Sequence, residues 1–145
     1  IIMLLAFAVS WFILRKTPLG RKIYAVGGNE KVSFIAGIKI ERVKIFVYAI
    51  TGFFCALAGA VLTSRLNSAQ PTAGTGYELD AIAAVVLGGT SLSGGKGYIT
   101  GTLVGVLIIG TLNNGLNILD VSSFYQQVVK GIVILLAVLM DRKKA

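Results

Sequence analysis

Residues 88–97, GGTSLSGGKG, are where this sequence comes nearest to nucleotide chemistry. A phosphate-binding loop needs Gly-x-x-x-x-Gly-Lys-[Ser/Thr], so that backbone amides cradle phosphates, the lysine reaches them and the hydroxyl holds magnesium. Counted back from Lys96, Gly95 fits, but the first glycine position holds Thr90 and the hydroxyl position holds Gly97. Counted from Gly89, Gly95 stands where the lysine is required. Gly95-Lys96-Gly97 is followed by glycine at 101 instead of 100, which misses the dinucleotide spacing too. Neither register fits a nucleotide.

The remaining reactive groups are few. The chain has no histidine, which removes imidazole metal sites, Ser-His-Asp triads and most general-base schemes. Cys55 is the single cysteine and sits in an apolar run, so an intrachain disulfide is impossible and redox chemistry is not expected. Glu78 and Asp80 are the closest carboxylates. They read as an external loop with Asp80 capping the helix that follows, in preference to a catalytic or proton-coupling pair. Lys130, beside Gln126 and Gln127, falls midway along an apolar segment, where a lysine must pair inside a bundle or snorkel. Asn113 and Asn117 share one helix face. Such amides bond to neighbouring helices or line a solute path. No catalytic residue, metal site or cofactor is expected.

The elements that hold these groups are apolar. Hydrophobic residues make up 55% of the chain and charged residues 14%, with a mean hydropathy of +0.82. A soluble domain keeps roughly a quarter of its residues charged. The composition therefore points to an integral membrane protein of all-α class, a polytopic bundle of about five crossings with one broken by a Gly-rich stretch. The formal charge of +8 is concentrated. Eight of the fourteen basic residues lie between Arg15 and Lys44, and three more in the C-terminal DRKKA. That pattern marks cytoplasmic segments, with acidic lipid headgroups as incidental partners and no nucleic acid.

Residues 1–14 would rise only about 21 Å as a helix against a hydrocarbon core of about 30 Å. They read as a truncated spanning helix, with residues missing upstream. Residues 15–42 read as a cytoplasmic loop, with turns at Thr17-Pro18-Leu19-Gly20 and Gly27-Gly28-Asn29. Asn29 should cap a short helix from Glu30 to Ala36, with Glu30 in its first turn and Gly37 left-handed after it. Two turns do not persist alone in water, so this helix must dock on something. Residues 43–63 form a spanning helix with small residues at Gly52, Ala56 and Ala60. An external loop (64–80), a broken crossing (81–97), a helix at 98–118 and a last helix at 122–140 follow, and then the tail, 141–145. The break, with Thr90 and Ser91, is either one limb of a hairpin or an external re-entrant element. Non-helical backbone at that depth needs protein or a watery cavity around it. Gly97, Gly101 and Gly105 should let the 98–118 helix approach a neighbour closely.

The segments YAVGGNEKVSFIAGI, SRLNSAQPTAGTGYELDAIAAVVLGGTSLSGGKG and GTLNNGLNILDVSSFYQQVVKGIVILLAVLMDRKK together resemble the C-terminal half of an ATP-binding-cassette sugar permease, closest to the ribose-type branch. The resemblance covers essentially the whole chain. It implies a permease subunit in the cytoplasmic membrane with its C-terminus inside. Its implied partners are separate cassette ATPase subunits, an external sugar-binding protein and a second permease copy. It also implies that Gly28, Asn29, Glu30, Phe34, Ile35 and Gly37 couple to the ATPase. Thr90, Ser91, Asn113, Asn117 and Gln126 become candidates for the translocation path. The rival expectation is a secondary transporter or channel driven by an ion gradient, which normally needs an intramembrane carboxylate.

Overall fold

A computed structural model describes residues 1–142, and among them every regular element is a helix. Seven are present: α1 (Ile2–Lys16), α2 (Pro18–Gly28), α3 (Glu30–Ile35), α4 (Ile40–Leu66), α5 (Tyr77–Leu87), α6 (Ile99–Ile118) and α7 (Ser123–Arg142). They group into two compact units, residues 1–75 and the part from Gly76 onward. Three helices, α4, α6 and α7, are long and apolar enough to cross a membrane, or four spans if the bent pair α1–α2 counts as one. The remaining two expected crossings are the ones read as truncated and broken. At 15 and 11 residues, α1 and α5 rise about 22 and 16 Å, short of the hydrocarbon thickness.

The first unit turns on residues 17–20. Thr17 is extended (φ −104°, ψ 153°), as the residue before a proline tends to be, and α2 leaves α1 at 77°. Gly20 makes this turn possible, because a Cβ there would lie 2.1 Å from the Leu14 carbonyl oxygen. The expected loop over 17–28 is therefore corrected to a helix. Proline is tolerated at the first helical position, where its missing N–H would be unpaired anyway. Leu19, Ile23 and Val26, spaced at i, i+4 and i+7, give α2 an apolar side, and Val26 is buried. The expected loop over 15–42 thus carries two helices and the start of α4.

The short helix α3 forms where it was expected. The Asn29 side chain accepts from the Val32 N–H at 3.2 Å, and Glu30 sits in the first turn. Gly37 is left-handed (φ 82°). The Gly37 N–H bonds to Phe34 O and the Ile38 N–H to Ser33 O, which closes the helix as a Schellman motif. By contrast, no described residue would meet a Cβ on Gly52, so the small-residue side of α4 has no partner there.

In the second unit α6 runs antiparallel to α5 and α7. Ala83, Ala84 and Ile109 form its core, with Val133 and Ile134 packed against them. Here the glycine spacing does what was expected. A Cβ on Gly101 would lie 2.0 Å from Gly88 O, and one on Gly105 would lie 2.0 Å from Ala84 O. Two starts move. The α5 helix begins at Tyr77 on a left-handed Gly76 (φ 87°), so Asp80 lies inside the helix and is not its cap. Helix α4 runs on to Leu66, which trims the expected 64–80 loop from both ends. The break follows α5 as expected, with Gly89, Gly94 and Gly95 left-handed and the Ser91 N–H bonded to Lys96 O at 3.0 Å. Of the expected tail at 141–145, residues 143–145 lie outside the described residues.

Gly105→Val should destabilise the protein by roughly 3 kcal/mol, the upper end of overpacking costs. Gly110→Val, with nothing within 4 Å, should cost far less. Thermal unfolding in detergent checks the pair, and equal midpoints for the two variants would contradict the α5–α6 packing.

Candidate functional site

Two arrangements could carry function, one in each unit. In the first, residues 28–37 lie along a single short stretch: Gly28 ends α2, Asn29 caps α3, and Gly37 terminates it. On α3, Val32, Phe34 and Ile35 are 60, 73 and 83% exposed, although they are apolar. Only Ser33 is buried, its hydroxyl donating to Asn29 O at 2.8 Å. A six-residue helix with three exposed apolar side chains is too short to persist alone in water.

Its base is held more firmly. Lys44 Nζ on α4 meets Glu30 Oε1 at 2.7 Å. Both side chains are about half exposed, so the pair orients α3 more than it stabilises it. Val26 of α2 and Val43 of α4 are the buried apolar residues of this unit. With Ser33, they mark where α2, α3 and α4 meet.

The second arrangement is a polar seam along α5, α6 and α7. Lys130 Nζ of α7 lies 2.7 Å from Asp80 Oδ1 of α5, with side chains 14 and 19% exposed. Asn113 Nδ2 of α6 donates to Asp80 Oδ2 at 3.0 Å. About one helical turn nearer the α6–α7 connection, Gln126 Nε2 donates to Asn117 Oδ1 at 3.0 Å and to Val121 O at 2.9 Å. These rungs join three helices at two levels. An unpaired lysine among apolar helices is expensive, and Asp80 offsets that cost.

Three of the path candidates from the sequence, Asn113, Asn117 and Gln126, are brought together in this seam. Thr90 and Ser91 are not. They belong to the break after the C-terminus of α5, while Asp80 and Asn113 meet near its N-terminus. The expected pairing of Lys130 inside the bundle holds, but the reading of Asp80 as an external cap does not. One signal could have found it. A mid-helix lysine demands a carboxylate, and Glu78, Asp80 and Asp120 were the available ones around that segment.

Comparison with known proteins adds a second line of observation. The sequence profile of the branched-chain amino acid transport system / permease component family matches residues 1–138. The chain is similar to the ribose import permease protein RbsC of Bacillus subtilis, with 72% identity over 145 residues, covering all of this chain and 45% of that protein. It is 62% identical over 143 residues to RbsC of Escherichia coli K12, covering 99% of this chain and 44% of that protein. To the xylose transport system permease protein XylH of Escherichia coli K12 it is 49% identical over 130 residues, or 90% of this chain and 33% of that protein. The chain thus spans less than half the length of these relatives. No solved structure matches.

Asp80→Asn or Lys130→Met alone should each destabilise the bundle by roughly 3 kcal/mol or more, since each strands a buried charge. The two together should recover most of that loss. Folded yield and thermal midpoint of the full-length permease report it. Single variants as stable as the wild type would contradict the buried pair.

Proposed function

Because the chain belongs to the branched-chain amino acid transport system / permease component family, we propose that it forms part of the membrane subunit of a binding-protein-dependent ATP-binding-cassette importer. The cargo is a pentose, ribose before xylose. What carries this reading is the 72% identity, over every residue of the chain, to a protein named for ribose import. The family description names amino acids, but the high-identity relatives are named for sugars. Transport itself belongs to the longer polypeptide, of which this chain corresponds to under half.

In this reading the subunit sits in the cytoplasmic membrane with the cationic stretch from Arg15 to Lys44 and the C-terminus inside. It hydrolyses nothing. Separate cassette ATPase subunits supply the work, an external binding protein delivers the sugar, and a second permease copy completes the path. Lipid headgroups take up the remaining basic charge.

Residues 28–37 are the coupling surface. Phe34 and Ile35 dock into the ATPase, while Gly28, Asn29, Glu30 and Gly37 give the segment its shape. Helix α3 is fixed at its N-terminus by Asn29, at its C-terminus by the Gly37 closure, and to α4 by the Glu30–Lys44 pair. A force on Phe34 and Ile35 is therefore passed to α4. Closure of the ATPase subunits moves α3 as a lever, and the packed helices answer by exchanging inward and outward openings. Asn113, Asn117 and Gln126 line the sugar's route, whereas Thr90 and Ser91 lie at a different level of it.

The ion-gradient alternative needs a bundle carboxylate, and Asp80 is one. Its charge is matched by Lys130, however, and the sugar importers among the relatives favour ATP-driven transport.

Ile35→Glu should leave ATP hydrolysis running and the permease in the membrane, while lowering sugar uptake by roughly tenfold or more, as loss of an interface anchor does. Uptake in vesicles, set against hydrolysis and the amount of permease, checks this. Normal uptake at normal expression would remove α3 from the coupling role.

A further inference from the structure

We propose that Asp80 and Asn113 form a hydroxyl-binding subsite for the transported sugar, with Lys130 as the residue that positions Asp80. The proposal rests on the importer reading and deepens it. Neither Asp80 nor Lys130 was expected in the path.

The orientation of Asn113 follows from elementary chemistry. An ionised carboxylate has no hydrogen to give, so Asp80 must receive the amide NH2 of Asn113, as it does through Oδ2 at 3.0 Å. The amide oxygen is thereby turned away. Asn113 Oδ1 is buried and has no hydrogen-bond partner among the described residues. Asp80 Oδ1 is buried as well, but it faces the Lys130 ammonium at 2.7 Å. Buried acceptors without donors are rare in folded chains, because their lost hydration is not repaid. The Asn113 amide oxygen, on a side chain hydrogen-bonded to Asp80, is a place prepared for an incoming donor.

The ligand class follows from the charge. Carboxylate, ammonium and amide sum to zero, so a charged ligand would be left unbalanced here. A neutral polyol would not. One sugar hydroxyl donates to Asn113 Oδ1 and another to a remaining lone pair of the Asp80 carboxylate, while Lys130 holds Asp80 in place without having to touch the sugar.

Access follows from the helix lengths. Asp80 is three residues into α5, Asn113 five from the end of α6, and Lys130 seven into α7. At 1.5 Å per residue, α5 therefore begins about 3–6 Å below the α6–α7 connection. Above this step lies the Gln126–Asn117 rung, whose Asn117 is exposed. The subsite is closed in this structure, and Gln126 is the side chain that must swing aside to open it.

The test uses the full-length permease in proteoliposomes with its ATPase and loaded binding protein. Uptake of ribose and of its singly deoxygenated analogues is measured at saturating sugar. The wild type should favour ribose over one analogue by about tenfold, the effect of one hydrogen bond to a polar buried group. Asn113→Leu should lower ribose uptake to the level of that analogue and so abolish the preference. Asn114→Leu, at the exposed neighbouring amide, should behave as wild type. If Asn113→Leu fails to assemble, the Asp80→Asn, Lys130→Gln double variant replaces it and should lose the same preference. Wild-type ratios in the variant that assembles, or a wild type that treats every analogue as ribose, would overturn the subsite alone. A wild-type system that moves no ribose at all would overturn the importer reading and the subsite with it.

Discussion

Charge is scarce in this chain, and the rule that a charge must be hydrated or paired governs where every helix can sit. Most of the basic residues meet the rule by staying in water, gathered between Arg15 and Lys44. Lys130 cannot, because apolar helix continues on both sides of it. Its answer is Asp80, and the pair ties α7 to α5 at a depth where nothing else polar is cheap. Asn113 then joins from α6. This ion pair, together with the Gln126–Asn117 rung, thus fixes the register of three helices that otherwise meet through apolar residues and glycine.

The same scarcity shapes the first unit. With so much cationic backbone outside the bundle, segments that are neither spanning nor disordered need local devices to hold them. Proline at the start of α2, a glycine under the carbonyl of Leu14, an asparagine cap and a left-handed Gly37 are such devices. Each costs little and acts within a few residues. Together they present Phe34 and Ile35 outward on a rigid base.

Locality also explains what could be read from the residues alone. The cap at Asn29, the closure at Gly37 and the long apolar runs of α4, α6 and α7 depend on neighbours in sequence, and they appear as expected. The close approach of α6 to α5 was legible because glycine every four residues has few other uses in an apolar helix. Helix α2 was misread, since Pro18 and Gly20 punctuate loops as often as they open helices. Only the spacing of Leu19, Ile23 and Val26 spoke for the helix. Asp80 was misread for a different reason. As the last carboxylate before an apolar run it looks like a cap, but Gly76 takes the start of the helix, and the partner of Asp80 lies two helices further on. Pairings of that kind exist only in the folded bundle.

The claim on which function depends most is that α3 faces the cytoplasm, fully open to a separate motor. Thiol labelling tests it directly. In full-length permease with Cys55 replaced by serine, a single cysteine at Phe34 is exposed to a membrane-impermeant reagent in right-side-out and inside-out vesicles. Labelling confined to inside-out vesicles, and blocked when the ATPase subunits are bound, is the expected result. Labelling from the outside would contradict the orientation and with it the coupling role of α3.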